Sequence, residues 1–171
     1  MSNEKEIVNR VANSGLIQLD MADFFPSQEI VEYDIAQNLW QGIALKEKEF
    51  RAFINDHDWS AYKNQHVALI CSADAIVPSW AYMLLSSALQ DHAISIHFGT
   101  KQEVEQQLLI QSIEALNPED YIDRRIVIKG CGDKHVSEAA WVKITNKLQP
   151  VAKSIMYGEP CSTVPVFKRS R

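Results

Sequence analysis

The chain has 3 cysteines in 171 residues, and no two of them are spaced as CxxC. So small and odd a number is not a disulfide framework, and the strongest metal-binding signature is missing. No apolar run approaches the roughly 20 residues that a membrane helix needs. The opening Met1-Ser-Asn-Glu-Lys-Glu6 has neither the basic start nor the apolar core of a signal peptide, so a cytoplasmic location with reduced thiols is expected. There is no excess of cations: 17 Lys and Arg stand against 22 Asp and Glu, for a net charge of -5 and a pI near 5.5. That balance argues against nucleic acid and anionic membranes as partners. The basic end Lys168-Arg169-Ser170-Arg171 is a local exception and reads as a solvated tail. GxGxxG, the P-loop and GxSxG are all absent.

What is present is an ordinary globular balance, 46% hydrophobic and 23% charged, enough to bury a core. The length suits one domain over 1–171. Residues 4–13 predict a short amphipathic helix. Ile17, Leu19 and Met21, and then Val31, Tyr33 and Ile35, alternate with polar residues and predict an antiparallel pair of strands. Residues 39–45 are either a third strand or a turn. Residues 46–56 carry Phe50, Phe53 and Ile54 at helical spacing. His57 lies between Asp56 and Asp58, which reads as a surface loop because adjacent residues are not at ligand spacing.

From residue 63 onward the pattern is βαβαβαβ. Val67–Ile70 is a continuous apolar run, as in a strand buried on both faces. Pro78 fits the first turn of a helix over 78–90. A strand over 93–98, a helix over 101–116, a strand over 125–129, a helix over 138–149, a strand over 154–157 and an extended segment over 163–167 follow. The expected class is α/β: a mostly parallel sheet with helices on both faces and right-handed crossovers. Residues 1–62 would add antiparallel strands to that core. Cys71 leads through a polar loop to a tryptophan-bearing helix ending Leu89-Gln90, and Cys131 leads likewise to Leu148-Gln149. Matching βα outlines are common, so duplication does not follow from this echo alone.

Cys71, Cys131 and Cys161 each follow the C-terminal end of a strand. In one parallel sheet those ends share an edge, where ligands of open α/β sheets bind. With neighbouring strands about 4.8 Å apart, three sulfurs can reach one ion. Gly130, Gly132 and Gly158 allow close backbone approach beside them. His135, Asp74, Glu159 or Asp133 would complete the shell, and Asp74 reads equally well as a helix cap. Zinc or an iron–sulfur cluster suits such ligands, whereas magnesium and calcium do not. The other readings are three separate structural cysteines, or a reactive thiolate. Ser72 and Ser162 each follow a cysteine, but nothing brings a Ser-His-Asp set together. His66 and His97 read as core or edge histidines, and His92 as a surface helix end.

Residues 71–85, Lys129-Gly130-Cys131, residues 148–165 and the opening Ile7–Leu16 together resemble a bacterial family classed as domain of unknown function 2480. The resemblance spans nearly the whole chain. It implies no assigned activity, so no catalytic residues carry over. It also implies genes lying beside iron–sulfur assembly genes, and hence a protein partner in metal or cluster handling. The leading expectation is therefore a metal or cluster site at Cys71, Cys131 and Cys161. The alternative is a metal-free small-ligand or protein-interaction domain.

Overall fold

The computed structural model describes residues 15–130 and 132–170. The helix expected over 4–13 and the side chain of Cys131 lie outside the described residues. In chain order the elements are β1 (Leu16–Asp20), β2 (Ile30–Asp34), α1 (Glu47–Asp56), β3 (His66–Ile70), α2 (Ser79–Leu89), β4 (Ser95–Phe98), α3 (Lys101–Ala115), β5 (Arg125–Lys129), α4 (Glu138–Leu148), β6 (Ser154–Glu159) and β7 (Ser162–Lys168). Single 3-10 turns follow β1 and β2 and precede β3 and β5.

The chain packs as two compact units. Pro26–Gln107 forms one of them, inserted along the chain within the other, which comprises the residues up to Phe25 and from Leu108 onward. The inserted unit carries an all-parallel sheet in the order β2-β3-β4. The outer unit carries the order β1-β5-β6-β7, parallel except for the β6–β7 hairpin. The α/β class and the mostly parallel pairing are thus as expected.

Two finer expectations are corrected. The antiparallel pairing of the first two strands does not form; each joins a different sheet, β1 beside β5 and β2 beside β3, both in parallel. Alternation of polar and apolar residues reports which face a strand buries, not its direction. Nor do the strands before the three cysteines lie in one sheet. β3 belongs to one unit, and β5 and β6 to the other. The ambiguous stretch at 39–45 is a tight turn closed by a Trp40–Ala44 bridge, with Gln41 and Gly42 at positive φ.

Each core follows from the apolar spacing. In the inserted unit Phe50 of α1 and Ala81, Leu85 and Leu89 of α2 are buried with Val67 and Leu69 of β3. In the outer unit Leu109 and Ile113 of α3 and Ala140, Ile144 and Leu148 of α4 are buried with Ile126 and Ile128 of β5.

These two lists are one list. Four elements of the outer unit lie 59 residues after their counterparts: β5 after β3 (66 to 125), α4 after α2 (79 to 138), β6 after β4 (95 to 154), and the 3-10 turn at 118 after that at 59. The shift needs no gap. It maps left-handed Asn64 (φ 63) onto Asp123 (φ 54), and the 2.9 Å bond from Ile94 N to Gln65 O onto the 2.8 Å bond from Lys153 N to Arg124 O. Between 67–99 and 126–158, 9 of 33 positions are identical, among them Ala81/Ala140, Ser95/Ser154 and Gly99/Gly158. β2 and β1 also enter in the same register, Ile30 beside His66 and Leu16 beside Arg125. Asp34 and Asp20 each cap the turn that follows. The fold is therefore an internal duplication, one copy placed between β1 and the rest of the other.

Candidate functional site

The six residues expected at a metal centre are spread over both units. In the inserted unit, Cys71 is half-buried, and its thiol donates to the Ala73 carbonyl at 3.5 Å. Asp74 is exposed. The carboxylate at that strand edge is Asp34, which accepts from Ala36 N at 2.9 Å and from Ser72 N at 3.0 Å and Oγ at 2.5 Å. Burial works to raise its pKa, but the Ser72 and Ala36 bonds outweigh it and hold Asp34 below the ordinary carboxylate value. Asp34 thereby ties down the loop that carries Cys71.

In the outer unit, Pro160 and Cys161 form the exposed turn between β6 and β7, and Glu159 and His135 are exposed. Under the 59-residue shift Cys71 matches Gly130, while Cys131 matches Ser72, so these two cysteines are not equivalent positions. Among the described residues, no group of three or more His, Cys, Asp and Glu side chains is arranged to hold an ion. Cys71 and Cys161 are free thiols.

Both copies carry the same groove beside the last parallel strand. In the inserted unit it has a volume of about 590 Å³ and is lined by Tyr82, Met83 and Ser86 of α2 and Ile96 and Phe98 of β4. In the outer unit it is about 500 Å³, with Trp141, Val142, Thr145, Ile155 and Tyr157 at the matching positions. Each contains a T-shaped aromatic pair: Tyr82–Phe98 with centroids 5.3 Å apart, and Trp141–Tyr157 at 5.2 Å. The outer groove has one further wall, Val166 of β7.

The copies diverge on the opposite sheet face, at the strand starts. Register places Arg125, Ser154 and Lys168 side by side across β5, β6 and β7. With strands about 4.8 Å apart, the two cations flank a hydroxyl. They open on a cleft of about 820 Å³, whose rim also carries Lys153 and Arg169 and whose walls include Met156, Pro165 and Phe167. Among the described residues no carboxylate lines it. Arg169 is held by Asp123 at 3.1 Å and by the Pro150 carbonyl at 2.7 Å, so the basic chain end is pinned through this residue instead of trailing in solvent. Among the described residues no ion pair is formed by Arg125, Lys153 or Lys168.

At the equivalent place in the inserted unit the row is closed. Ser95 Oγ lies 2.7 Å from His66 Nδ1 and 2.7 Å from His97 Nε2, and His66 is only 6% exposed. Burial lowers the pKa of both imidazoles, which favours their neutral forms.

A protein-family profile described as a protein of unknown function, DUF2480, matches residues 5–169. The chain belongs to this family. No curated protein and no solved structure matches it. The family brings no assigned activity, so the candidate site rests on the cleft's own chemistry.

The sequence pattern had singled out the strand ends bearing cysteine and passed over the cleft. Its one visible signal was Lys168-Arg169, read as a tail. Arg125 and Ser154 join that pair only through strand register.

Proposed function

We propose that this protein binds a small organic anion, one phosphate or carboxylate group joined to an apolar body, in the basic cleft of the outer unit. The carrying observation is the lining: four cations and, among the described residues, no carboxylate, beside Met156, Pro165 and Phe167. A volume of about 820 Å³ is within the range of small-molecule sites. Arg125 and Lys168 would clamp the anionic group with the Ser154 hydroxyl between them, because a guanidinium and a hydroxyl together satisfy several oxygens. Phe167 and Met156 would take the apolar part. In a chain of net charge -5, such a concentration of cations attracts anions locally and repels other cations. This reading sides with a metal-free small-ligand domain over a metal centre at Cys71, Cys131 and Cys161, because the described ligands of that centre form no cluster.

Titration calorimetry with phenyl phosphate, inorganic phosphate and phenol tests it. Phenyl phosphate is expected to bind most tightly, inorganic phosphate more weakly, and phenol without measurable heat. Affinity should fall as salt rises. The double substitution Arg125→Gln with Lys168→Gln should weaken phenyl phosphate at least about tenfold, or about 1.4 kcal/mol. Absence of heat with both phosphates, or unchanged affinity in a folded double variant, would sink the reading.

A further inference from the structure

β6 and β4 are equivalent strands with unequal edges. β6 is covered on its outer side by β7, in antiparallel pairing from Ser154–Lys168 to Glu159–Ser162. β4 pairs with β3 and, among the described residues, with nothing else. Free strand edges invite pairing, and proteins blunt them with proline, lysine, bulges or short length. β7, the exposed edge strand of the outer sheet, has Pro165, Lys168 and a register shift at Ile155/Met156. β4 is short, but Ala93-Ile-Ser-Ile-His-Phe98 contains neither proline nor a formal charge. Its apolar side chains are open instead: Phe98 is 66% exposed, Ile94 48%, and Met83 on α2 beside them 70%.

We propose that two copies of this chain associate through β4, as a two-fold antiparallel strand pair centred on Ile96. The side-chain pattern is self-complementary about that residue. A two-fold axis there sets Ile96 against its own copy and Ile94 against the partner copy's Phe98, twice. Because Gly99 N bonds inward to Leu69 O at 3.1 Å, alternation turns the N–H and C=O groups of Ile96 outward. Those are the groups that exchange hydrogen bonds when Ile96 lies opposite the second copy's Ile96. Backbone and side chains thus select the same register.

The outer unit already contains this arrangement within one chain. There Ile155 faces Phe167 and Tyr157 faces Val164 across β6 and β7. The matching β4 positions, Ile96 and Phe98, would face Ile96 and Ile94 of the second copy, again an aromatic against a β-branched residue, a favourable cross-strand pair. The second copy's strand would also supply the wall that Val166 supplies to the outer groove. An isologous contact of this kind closes at two copies and does not propagate.

Light scattering on the full chain, eluting from a sizing column at about 100 μM, reads the mass in a regime where micromolar interfaces are occupied. The expected value is twice 19.4 kDa. Phe98→Lys and Ile94→Glu, both at exposed positions, should each return a 19.4 kDa monomer with unchanged circular dichroism. Combined, the two substitutions set Glu opposite Lys at both ends of the pair, so the double variant should dimerise again. A 19.4 kDa wild type, a dimer that survives either single substitution, or a double variant that stays monomeric would each overturn the proposal.

Discussion

In the inserted unit Ser95 is bonded between His66 and His97; in the outer unit its counterpart Ser154 lies between Arg125 and Lys168, at the mouth of a cleft. One backbone bond beside the two serines is shared, from Ile94 N to Gln65 O and from Lys153 N to Arg124 O. What differs is the cover. In the inserted unit His66 is buried and Gln107 Nε2 of α3 donates to the Phe98 carbonyl at 3.2 Å, whereas Arg125 at the matching position to His66 is exposed. A covered row must satisfy its polar groups internally and shed its charge, which a neutral Ser–His–His chain does. An open row can carry unpaired cations, because water solvates them until a ligand arrives. The duplication therefore separates two tasks: the scaffold residues are repeated, and one row of side chains decides between packing and binding.

If the scaffolds are truly equivalent, matched core substitutions should hurt equally. Leu85→Ala in α2 and Ile144→Ala in α4 remove side chains that are both 0% exposed. Each should cost about 2–5 kcal/mol by loss of burial and creation of a cavity. Denaturant unfolding checks this, with Trp59 and Trp80 reporting on the inserted unit and Trp141 on the outer one. A small loss at one site beside a large loss at the other would break the equivalence.

The serines themselves should behave unequally. Ser95→Ala leaves two part-buried imidazole nitrogens without their shared partner and should cost about 1–3 kcal/mol. Ser154→Ala, in an open cleft, should change stability by no more than about 0.5 kcal/mol while weakening phenyl phosphate. Equal costs would mean that the two rows are not packing and binding versions of one another.

The histidine row also predicts a pH response confined to one unit. Burial holds His66 and His97 below the ordinary value of 6.5; the neighbouring His97 adds to the effect on His66, and a bond to Gln107 partly opposes the effect on His97. The unfolded chain therefore takes up protons near 6.5 while the folded one resists them. This contribution is complete above 6.5 and is lost as pH falls toward the lowered folded values. In the outer unit, Asp20 is held below 3.8 chiefly by its bond to Lys129, 2.8 Å away, so its contribution is lost only in stronger acid. Denaturant midpoints should thus fall between about pH 7 and pH 5, and His66→Gln should flatten that fall. An unchanged slope in a folded His66→Gln variant would remove the histidines as its cause.

Much of the scaffold was legible residue by residue. The continuous apolar run Val67–Ile70 and the helix start at Pro78 marked β3 and α2, and the ranges read for β4, β5 and α4 came nearly to their ends. Strand direction was not legible, because Ile17–Met21 and Val31–Ile35 encode faces only. The division into two sheets was hidden for the same reason: nothing local says whether β3 and β5 share a neighbour. The duplication showed only as the Leu89-Gln90 and Leu148-Gln149 echo, since its identities are scattered and most core positions swap one apolar residue for another. The basic row was invisible because Arg125, Ser154 and Lys168 are remote in sequence and meet only through pairing. Cysteine drew attention by rarity, and the 59-residue shift corrects that emphasis by aligning Cys71 with a glycine.

The smallest expected effect concerns that cysteine. If Cys71 is a packing residue of the inserted copy, its thiol does no more than fill a half-buried space and donate to the Ala73 carbonyl at 3.5 Å. A serine hydroxyl can make the same bond with a shorter reach, so Cys71→Ser should change stability by less than about 1 kcal/mol. Phenyl phosphate affinity at the outer cleft should not change at all. Gly130, its counterpart, faces a different constraint: a Cβ there would lie 3.5 Å from the Trp141 ring, in ordinary contact, so even Gly130→Ala is sterically allowed. The pair of substitutions thus asks whether this strand end is a chemical position or only a packing one. A large loss of stability or of phosphate binding in Cys71→Ser, with Gly130→Ala harmless, would restore a chemical role to the thiol.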